Sequence, residues 1–280
     1  MSPLEVWYYC VSSEDLIGAA PDDKSRNRRE KVAAKAQTRV GENLLPKITK
    51  EEDGQHRFIE QPHVMTRITD EKALHLMIEG IESYRVSLPD ERRFLFDRYR
   101  LEDFAMRVVG IGSVGTRCFV ALFFCDDKNP LLLQIKEARP SVLEPYAGKS
   151  PFENQGQRVV VGQRLTQAAS DILLGWVRTG AGHDFYVRQL RDMKFSMPVE
   201  ELNAGQLEQY AEVCGWTLAR AHATSGDPAV ISGYLGGSDK IEVAMAEFAL
   251  AYADQIEQDH AALVAAERSG RIEALVEADQ

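Results

Sequence analysis

The stretch that decides the fold reads RVVGIGSVGTRCFVALFFCDDKNPLLLQIKEA and spans residues 107–138. Its glycines Gly110, Gly112 and Gly115 form a G-x-G-x-x-G string, which can bring backbone N–H groups close to a phosphate. The string alone is a weak signal, because different folds use it. The segment after it distinguishes them, since the glycine turn of a dinucleotide-binding fold must open into a helix.

The residues after the glycine string have the composition of strands. Residues 116–124, TRCFVALFF, are rich in β-branched and aromatic side chains, and a turn at 126–130 leads into a second such run at 131–135. Two runs joined by a short turn predict a β-hairpin. The sequence therefore argues against a dinucleotide-binding turn.

The order strand, glycine loop, strand, turn and strand with a terminal lysine is that of the small lobe of protein kinases. Lys136 ends the last strand in L-Q-I-K, where the kinase lysine would reach phosphates held under the loop. Arg117 departs from the kinase pattern, which has a valine there to cover the base. The pattern predicts that a nucleotide contacts Gly110, Gly112, Ser113, Gly115, Arg117, Gln134 and Lys136, with Lys136 also serving in catalysis. The alternative is a β-hairpin in which the glycines only add flexibility and Lys136 is an ordinary surface lysine.

Alternation along the last strand predicts which of its side chains face the site. Successive residues of a strand point to opposite faces, so Gln134 shares the face of Lys136. Both are expected to face a polar cleft beneath the glycine string. Leu133 and Ile135 point the other way and are expected to pack on the helix that begins near Gln155.

The composition is that of a globular protein without a preference for polyanions. The chain has 280 residues, of which 44% are hydrophobic, and a formal net charge of -10. Nucleic acids and anionic membranes are bound mainly through excess lysine and arginine, so this charge argues against both as partners. The longest apolar run, residues 119–125, is too short to span a bilayer, and the N-terminus lacks a secretory signal pattern. The cysteines show no metal-ligand spacing, and we expect reduced thiols in a cytoplasmic protein.

Periodicity predicts the elements along the rest of the chain. Apolar residues at spacings of three and four predict helices, and runs of apolar or β-branched residues predict strands. The helix at 22–39 is predicted instead from its charged, alanine-containing composition and its acidic first turn. The predicted strands are residues 4–11, a short one around 57–59, and 184–190. The predicted helices are residues 22–39, 70–86, a short one from Pro89, 155–176, 200–224 and 239–268.

These elements predict an α+β fold, in which a small antiparallel sheet with the glycine-loop hairpin lies beside a mainly helical C-terminal part. We expect three regions. Residues 1–100 would be an N-terminal part of strand and helices, which begins so abruptly that it is expected to be incomplete. Residues 101–195 would be the nucleotide-binding region, and residues 196–280 a helical region.

The acid that should pair with Lys136 cannot be assigned from this sequence, because Glu137, Glu144 and Glu153 lie outside the following helix or at its edge. In a kinase the helix after the lysine strand supplies a glutamate for that pair. The predicted helix at 155–176 contains none, and its face with Gln163 and Gln167 is unusually polar.

The string H-A-T-S-G-D at residues 222–227 places a histidine and an aspartate near the end of a predicted helix. His222 and Asp227 could flank a catalytic site there. The alternative is that His222 complements the helix dipole and Gly226 ends the helix. A kinase catalytic loop would need an asparagine five residues after the aspartate, where this chain has Ser232.

Five strings spread along the chain closely resemble one bacterial family, the domain of unknown function 2252 (DUF2252) family. They are VVGIGSVGTRCFVAL, GQRLTQAASDILLGW, DFYVRQLRDMK, CGWTLARAHATSGD and YADQIEQDHAAL. The similarity extends over essentially all of the chain. That family resembles, distantly, the protein-kinase and aminoglycoside-phosphotransferase superfamily, and the resemblance implies ATP and Mg²⁺ as cofactors.

Members of that family typically have a longer N-terminus. It carries a Gly-Asp-Ala-His-Leu-x-Asn-Phe string and an Asp-rich string, which resemble the catalytic loop and metal-binding segment of a kinase. Neither string occurs in this chain. The resemblance therefore implies that a longer form supplies a missing N-terminal segment, and the metal ligands stay unassigned.

The function we predict is nucleotide binding in part of a kinase-like phosphotransferase that is not catalytically competent alone. One alternative is a non-catalytic nucleotide-sensing or protein-interaction module. Another is a structural fragment that binds nothing by itself.

Overall fold

The structure is a computed structural model, which describes residues 2–20, 22–110, 115–126, 129–190 and 196–273. Helices and strands are mixed along the chain, and the strands are antiparallel, which confirms the predicted α+β fold. The chain forms two compact units, Met1–Ser225 and Gly226–Gln280. All the described strands belong to the first unit.

The strands form a main sheet and a separate small hairpin. The hairpin pairs β1 with β2, and the main sheet has six strands in the order β3-β4-β5-β6-β8-β7. Each neighbouring pair is antiparallel. The bounds are β1 Thr49–Glu52, β2 Gln55–Phe58, β3 Met65–Arg67, β4 Arg100–Arg107, β5 Cys118–Phe124, β6 Pro130–Ala138, β7 Gly175–Arg178 and β8 Asp184–Gln189.

The helices surround this sheet in the first unit and make up the second. In the first unit they are α1 Pro3–Tyr8, α2 Ser13–Gly18, α3 Asp23–Gln37, α4 Gly41–Ile48, α5 Glu71–Ser87, α6 Asp90–Phe96, α7 Glu144–Ala147, α8 Gln155–Thr166 and α9 Ala204–Ser225. In the second unit they are α10 Pro228–Leu235 and α11 Lys240–Arg268. None of the helices in the described ranges combines the length and the apolar character needed to cross a membrane.

The predicted hairpin is confirmed at the centre of the main sheet. β5 and β6 pair from Cys118 opposite Lys136 to Phe124 opposite Pro130. Every residue of β5 is buried, because both faces of the strand are covered. This explains why its sequence is continuously apolar rather than alternating.

The two faces of the sheet contact different helices. Odd-numbered residues of β5 and β6, such as Phe119 and Leu133, join a core that includes Tyr84 of α5 and Phe96 of α6. Even-numbered residues of β5 and β6, such as Leu132, join a second core with α4 and the β1–β2 hairpin. Leu133 and Ile135 were expected to pack on the helix beginning near Gln155. That expectation is wrong, because the core on their face contains residues of α5 and α6.

Helix α8 connects β6 to the sheet edge formed by β7, and the chain then returns to pair β8 with β6. The side chain of Asn154 caps the helix, and the carboxylate of Asp184 accepts the N–H of Gln155 at 2.8 Å. A side chain at Gly156 would overlap the backbone carbonyl of Phe185. The helix can therefore lie directly against β8.

The predicted strand at residues 4–11 is wrong, because Pro3–Tyr8 forms helix α1. Ser2 and Glu5 form a capping box, in which each side chain accepts a backbone N–H of the other residue. The string S-P-L-E carries this signal, with proline at the start of the helix. The β-branched and aromatic residues that follow are typical of a strand, so the capping signal was missed.

The predicted helix at 155–176 is too long, because α8 ends at Thr166 and β7 begins at Gly175. The carboxylate of Asp171 accepts hydrogen bonds from the N–H of Leu173 and the N–H of Gln189. An aspartate that binds nearby backbone groups in this way favours a loop over a helix. The remaining predicted elements are confirmed with shifts of a few residues at their ends.

Candidate functional site

The glycine string connects β4 to β5 at one end of the main sheet. Gly110 and Gly115 have backbone φ angles of 58° and 73°, in the left-handed region where glycine has no steric penalty. A residue with a side chain would therefore be strained at either position. Gly112 and Ser113, also predicted to contact a nucleotide, lie outside the described residues.

A row of side chains crosses the sheet below this turn, on one face. Cys118 of β5 pairs with Lys136 of β6, and Lys136 pairs with Tyr186 of β8. Met106 pairs with Phe119, so Arg107 is the residue of β4 that lies beside Cys118. Because directly paired residues share a face, this row places Lys136 between the thiol and the phenol.

A second row lies one step further from the turn on the same face. Gln134 pairs with Arg188, whose Nε and Nη2 donate to Oε1 of Gln134 at 3.2 and 3.1 Å. Gln134 is only 4% exposed. Its amide oxygen therefore holds the Arg188 guanidinium in place, two residues along the strand from Lys136.

Positive charge converges on this face around Cys118. Burial raises the pKa of the Cys118 thiol, and the charges of Lys136, Arg107 and Arg188 oppose this increase without cancelling it. The thiol therefore stays protonated at neutral pH, whereas the lysine and two arginines are cationic. Three like charges near one another repel, and a bound anion would relieve that repulsion.

The opposite face at the same end of the sheet carries a different cluster. The side chain of Glu137 is 5% exposed and accepts the backbone N–H of Arg117 at 2.8 Å and Nη1 of Arg117 at 3.2 Å. Nε of Arg139 also donates to Glu137, at 3.2 Å, and Nη2 of Arg139 donates to the carbonyl of Gly115. This cluster ties the end of the glycine turn to β6.

Burial tends to raise the pKa of Glu137, but the hydrogen bonds from the Arg117 backbone and from Arg139 hold the pKa below its ordinary value. Glu137 is therefore ionised at neutral pH. Sequence reasoning did not assign it, although strand alternation alone places it on the face opposite Lys136. The predicted nucleotide contact of Arg117 stays a prediction, and its guanidinium is bound to Glu137 in this structure.

The face of Lys136 is also the face of α8. Asp184 alternates with Tyr186 and Arg188 on β8, so its carboxylate binds the N-terminus of α8 on this side of the sheet. The helix sequence, QGQRVVVGQRLT, contains no acidic residue. Helix α8 therefore supplies no carboxylate to the face of Lys136.

The two other predicted catalytic residues lie in different units. His222 is exposed in the last turn of α9, in the first unit. Asp227 belongs to the second unit and caps α10, since its carboxylate accepts the N–H groups of Ala229 and Val230 at 2.8 and 3.2 Å. This capping agrees with a structural role for the H-A-T-S-G-D string, and the catalytic role of both residues stays a prediction.

Within the residues that the structure describes, no group of three or more histidine, cysteine, aspartate and glutamate side chains could hold a metal ion. Residues 191–194, which the kinase order would make the connector between two lobes, lie outside that part of the chain.

Residues 1–266 match the model of a family described as "Uncharacterized protein conserved in bacteria (DUF2252)", so the chain belongs to the DUF2252 family. The extent of the match confirms the membership that the five strings indicated. No curated protein and no solved structure matches the chain. The family description names no activity, and the function is therefore argued from geometry.

Proposed function

We propose that this DUF2252 chain binds the phosphates of a nucleotide, as the ATP-binding part of a kinase-like phosphotransferase. The observation that carries the proposal is the group of cations formed by Lys136, Arg107 and Arg188 on one face of the sheet, at the end where Gly110 and Gly115 have positive φ angles. Phosphate oxygens bind most strongly to charged donors of this kind.

The order of elements supports the same proposal. In protein kinases the glycine loop joins the first two strands, the lysine lies on the third strand, and a helix follows it. Here the glycine string joins β4 to β5, Lys136 lies on β6, and α8 follows after the short helix α7. In this proposal the turn binds phosphate through backbone N–H groups and Lys136 contacts the terminal phosphates.

The other residues of the face would orient the nucleotide rather than react with it. Arg188 is held by buried Gln134 and would supply a fixed charge beside Lys136. Arg107 would supply a third charge from β4. The described residues offer no ligand cluster for Mg²⁺, so the proposal assigns phosphate contacts to this chain and assigns no step to a metal.

A second candidate is a nucleotide sensor that binds ATP without transferring its phosphate. The observation that favours it is the absence of any acidic residue from the sequence of α8, since active kinases pair the lysine with a glutamate of that helix. Both candidates require nucleotide binding at the same face. They differ in whether any phosphate reaches an acceptor.

Titration calorimetry with ATP, with and without Mg²⁺, tests nucleotide binding. We predict that Lys136→Met weakens ATP binding by about tenfold or more, because it removes one charge-assisted contact of roughly 1.5 to 3 kcal/mol. Lys149→Met changes an exposed lysine in the loop between α7 and α8 and should leave the affinity unchanged. Failure of the wild-type chain to bind ATP, or equal losses in the two variants, would contradict the proposal.

A radiolabelled-ATP assay with mixed acceptors separates the two candidates. We expect no phosphate transfer by the purified chain alone. Transfer that persists in pure protein and disappears in Lys136→Met would show that this chain is catalytically complete.

A further inference from the structure

A cavity of about 310 Å³ lies between α2, α3 and α9, away from the cationic face of the sheet. Helix α3 borders it with a stripe of residues at spacings of three and four, which are Ser25, Arg28, Arg29, Val32, Ala33 and Ala36. Three members of this stripe have small side chains, and these leave space between the helices. The walls of the cavity are mainly apolar, with Leu16 and Val213 on the neighbouring helices.

Two arginines of α3 interrupt the apolar wall. Nη1 of Arg28 donates to Oε1 of Gln206 at 2.9 Å, and Nη2 of Arg29 donates to Oε1 of Gln209 at 2.9 Å. Nη1 of Arg29 also donates to the carbonyl of Leu16. All three acceptors are neutral, so these hydrogen bonds hold the two guanidinium groups in place without pairing their charge.

The acidic groups near these arginines do not neutralise them. Among the residues that the structure describes, Arg28 has one ion pair, with Glu201 at 3.9 Å, and Arg29 has none. The Glu201 side chain is 73% exposed. Such a long and solvated pair contributes little, so Glu201 competes weakly with a bound anion.

We propose that this cavity binds an amphipathic carboxylate, with its head on Arg28 and Arg29 and its apolar chain between α3 and α9. Arginine forms paired hydrogen bonds to carboxylates, and ligand sites are typically apolar cavities with a few fixed polar groups. A methylene group is similar in size to a water molecule, which occupies about 30 Å³ in the liquid. The cavity therefore has room for roughly ten methylene groups. A saturated chain of about ten carbons therefore fits it.

Titration calorimetry of the full chain with decanoate and with decan-1-ol tests the charge requirement. The two ligands share an apolar chain and differ in the charge of the head. We expect decanoate to bind at least about tenfold more tightly than decan-1-ol. Arg29→Gln should weaken decanoate binding by about tenfold and leave decan-1-ol unchanged. Arg26→Gln, at an exposed position of the same helix, should change neither.

Filling the cavity tests the location of the chain. Ala33→Phe should abolish binding of both ligands while circular dichroism shows a folded protein, and Ala36→Leu, a smaller change, provides the same test if Ala33→Phe does not fold. The proposal is overturned by any of four results. These are no decanoate binding, equal affinity for the two ligands, an equal loss in Arg26→Gln, or full decanoate binding by a folded cavity-filling variant.

Discussion

At the scale of single residues, β6 carries opposite charges on opposite faces at consecutive positions. Lys136 lies with Cys118 and Tyr186 on the face of α8, and Glu137 lies on the other face, where it binds Arg117. Alternation along a strand was enough to predict the face that Lys136 shares with Gln134. The partners from other strands, such as Arg188, were not predictable, because a sequence alone does not give the register between distant strands.

Glu137→Gln should destabilise the protein at neutral pH by about 1.5 to 3 kcal/mol, the range for a lost hydrogen bond to a charged group. The amide would place N–H donors against the donors of Arg117 and Arg139. Urea unfolding at pH 7 measures the change, and Glu208→Gln, at an exposed position of α9, is the matched control. A loss below 0.5 kcal/mol, or the same loss in both variants, would argue against this role of Glu137.

At the scale of elements, the sequence best predicted those elements in which apolar residues recur at one regular spacing. Helices α5 and α11 are of this kind, whereas composition predicted the β5–β6 hairpin and α3. The failures occurred where a few polar contacts decide the structure. The capping box of Ser2 starts α1 in a segment with strand-like composition, and Asp171 holds a loop between α8 and β7.

The contact between α5 and β7 depends on Gly175, a position without room for a side chain. A Cβ there would lie 2.6 Å from Oγ of Ser87 and 2.7 Å from Cε2 of Tyr84. Gly175→Ala should therefore destabilise the protein by about 1 to 3 kcal/mol through overpacking. Gly180→Ala adds the same methyl group to open space and should change stability by less than about 0.5 kcal/mol. Thermal and urea unfolding of both variants check this, and equal stabilities would refute it.

At the scale of the whole molecule, two ionised carboxylates hold parts of the main sheet and α8 together. Burial tends to raise the pKa of Asp184, but the hydrogen bonds from Arg178 and from the backbone of Gln155 hold it below its ordinary value. The pKa of Glu137 is held below its ordinary value in the same way. A lowered pKa in the folded state means that unfolding takes up protons in acid, so these groups stabilise the fold above their unfolded pKa values.

The free energy of unfolding should therefore fall as the pH decreases from 6 to 3, through the ordinary values of 4.5 for glutamate and 3.8 for aspartate and on toward the lower folded values. Urea unfolding across this range in wild type, Glu137→Gln and Asp184→Asn measures the slope. Each variant should show a shallower decrease than wild type, because one titrating group is removed. Parallel curves for all three would mean that other groups control acid unfolding.

The strand order also determines what the molecule presents to other copies of itself. The edge strands β3 and β7 have three and four residues, and β5, a fully buried run of seven, lies inside the sheet. Short edges offer few unpaired backbone groups to a neighbouring chain. The segment CFVALFF has the apolar, uncharged and β-prone composition of an amyloid-forming sequence, and neighbours on both sides already use its hydrogen bonds. Aggregation through this segment therefore requires that the sheet first open, so conditions that unfold the first unit should also be those in which the protein aggregates.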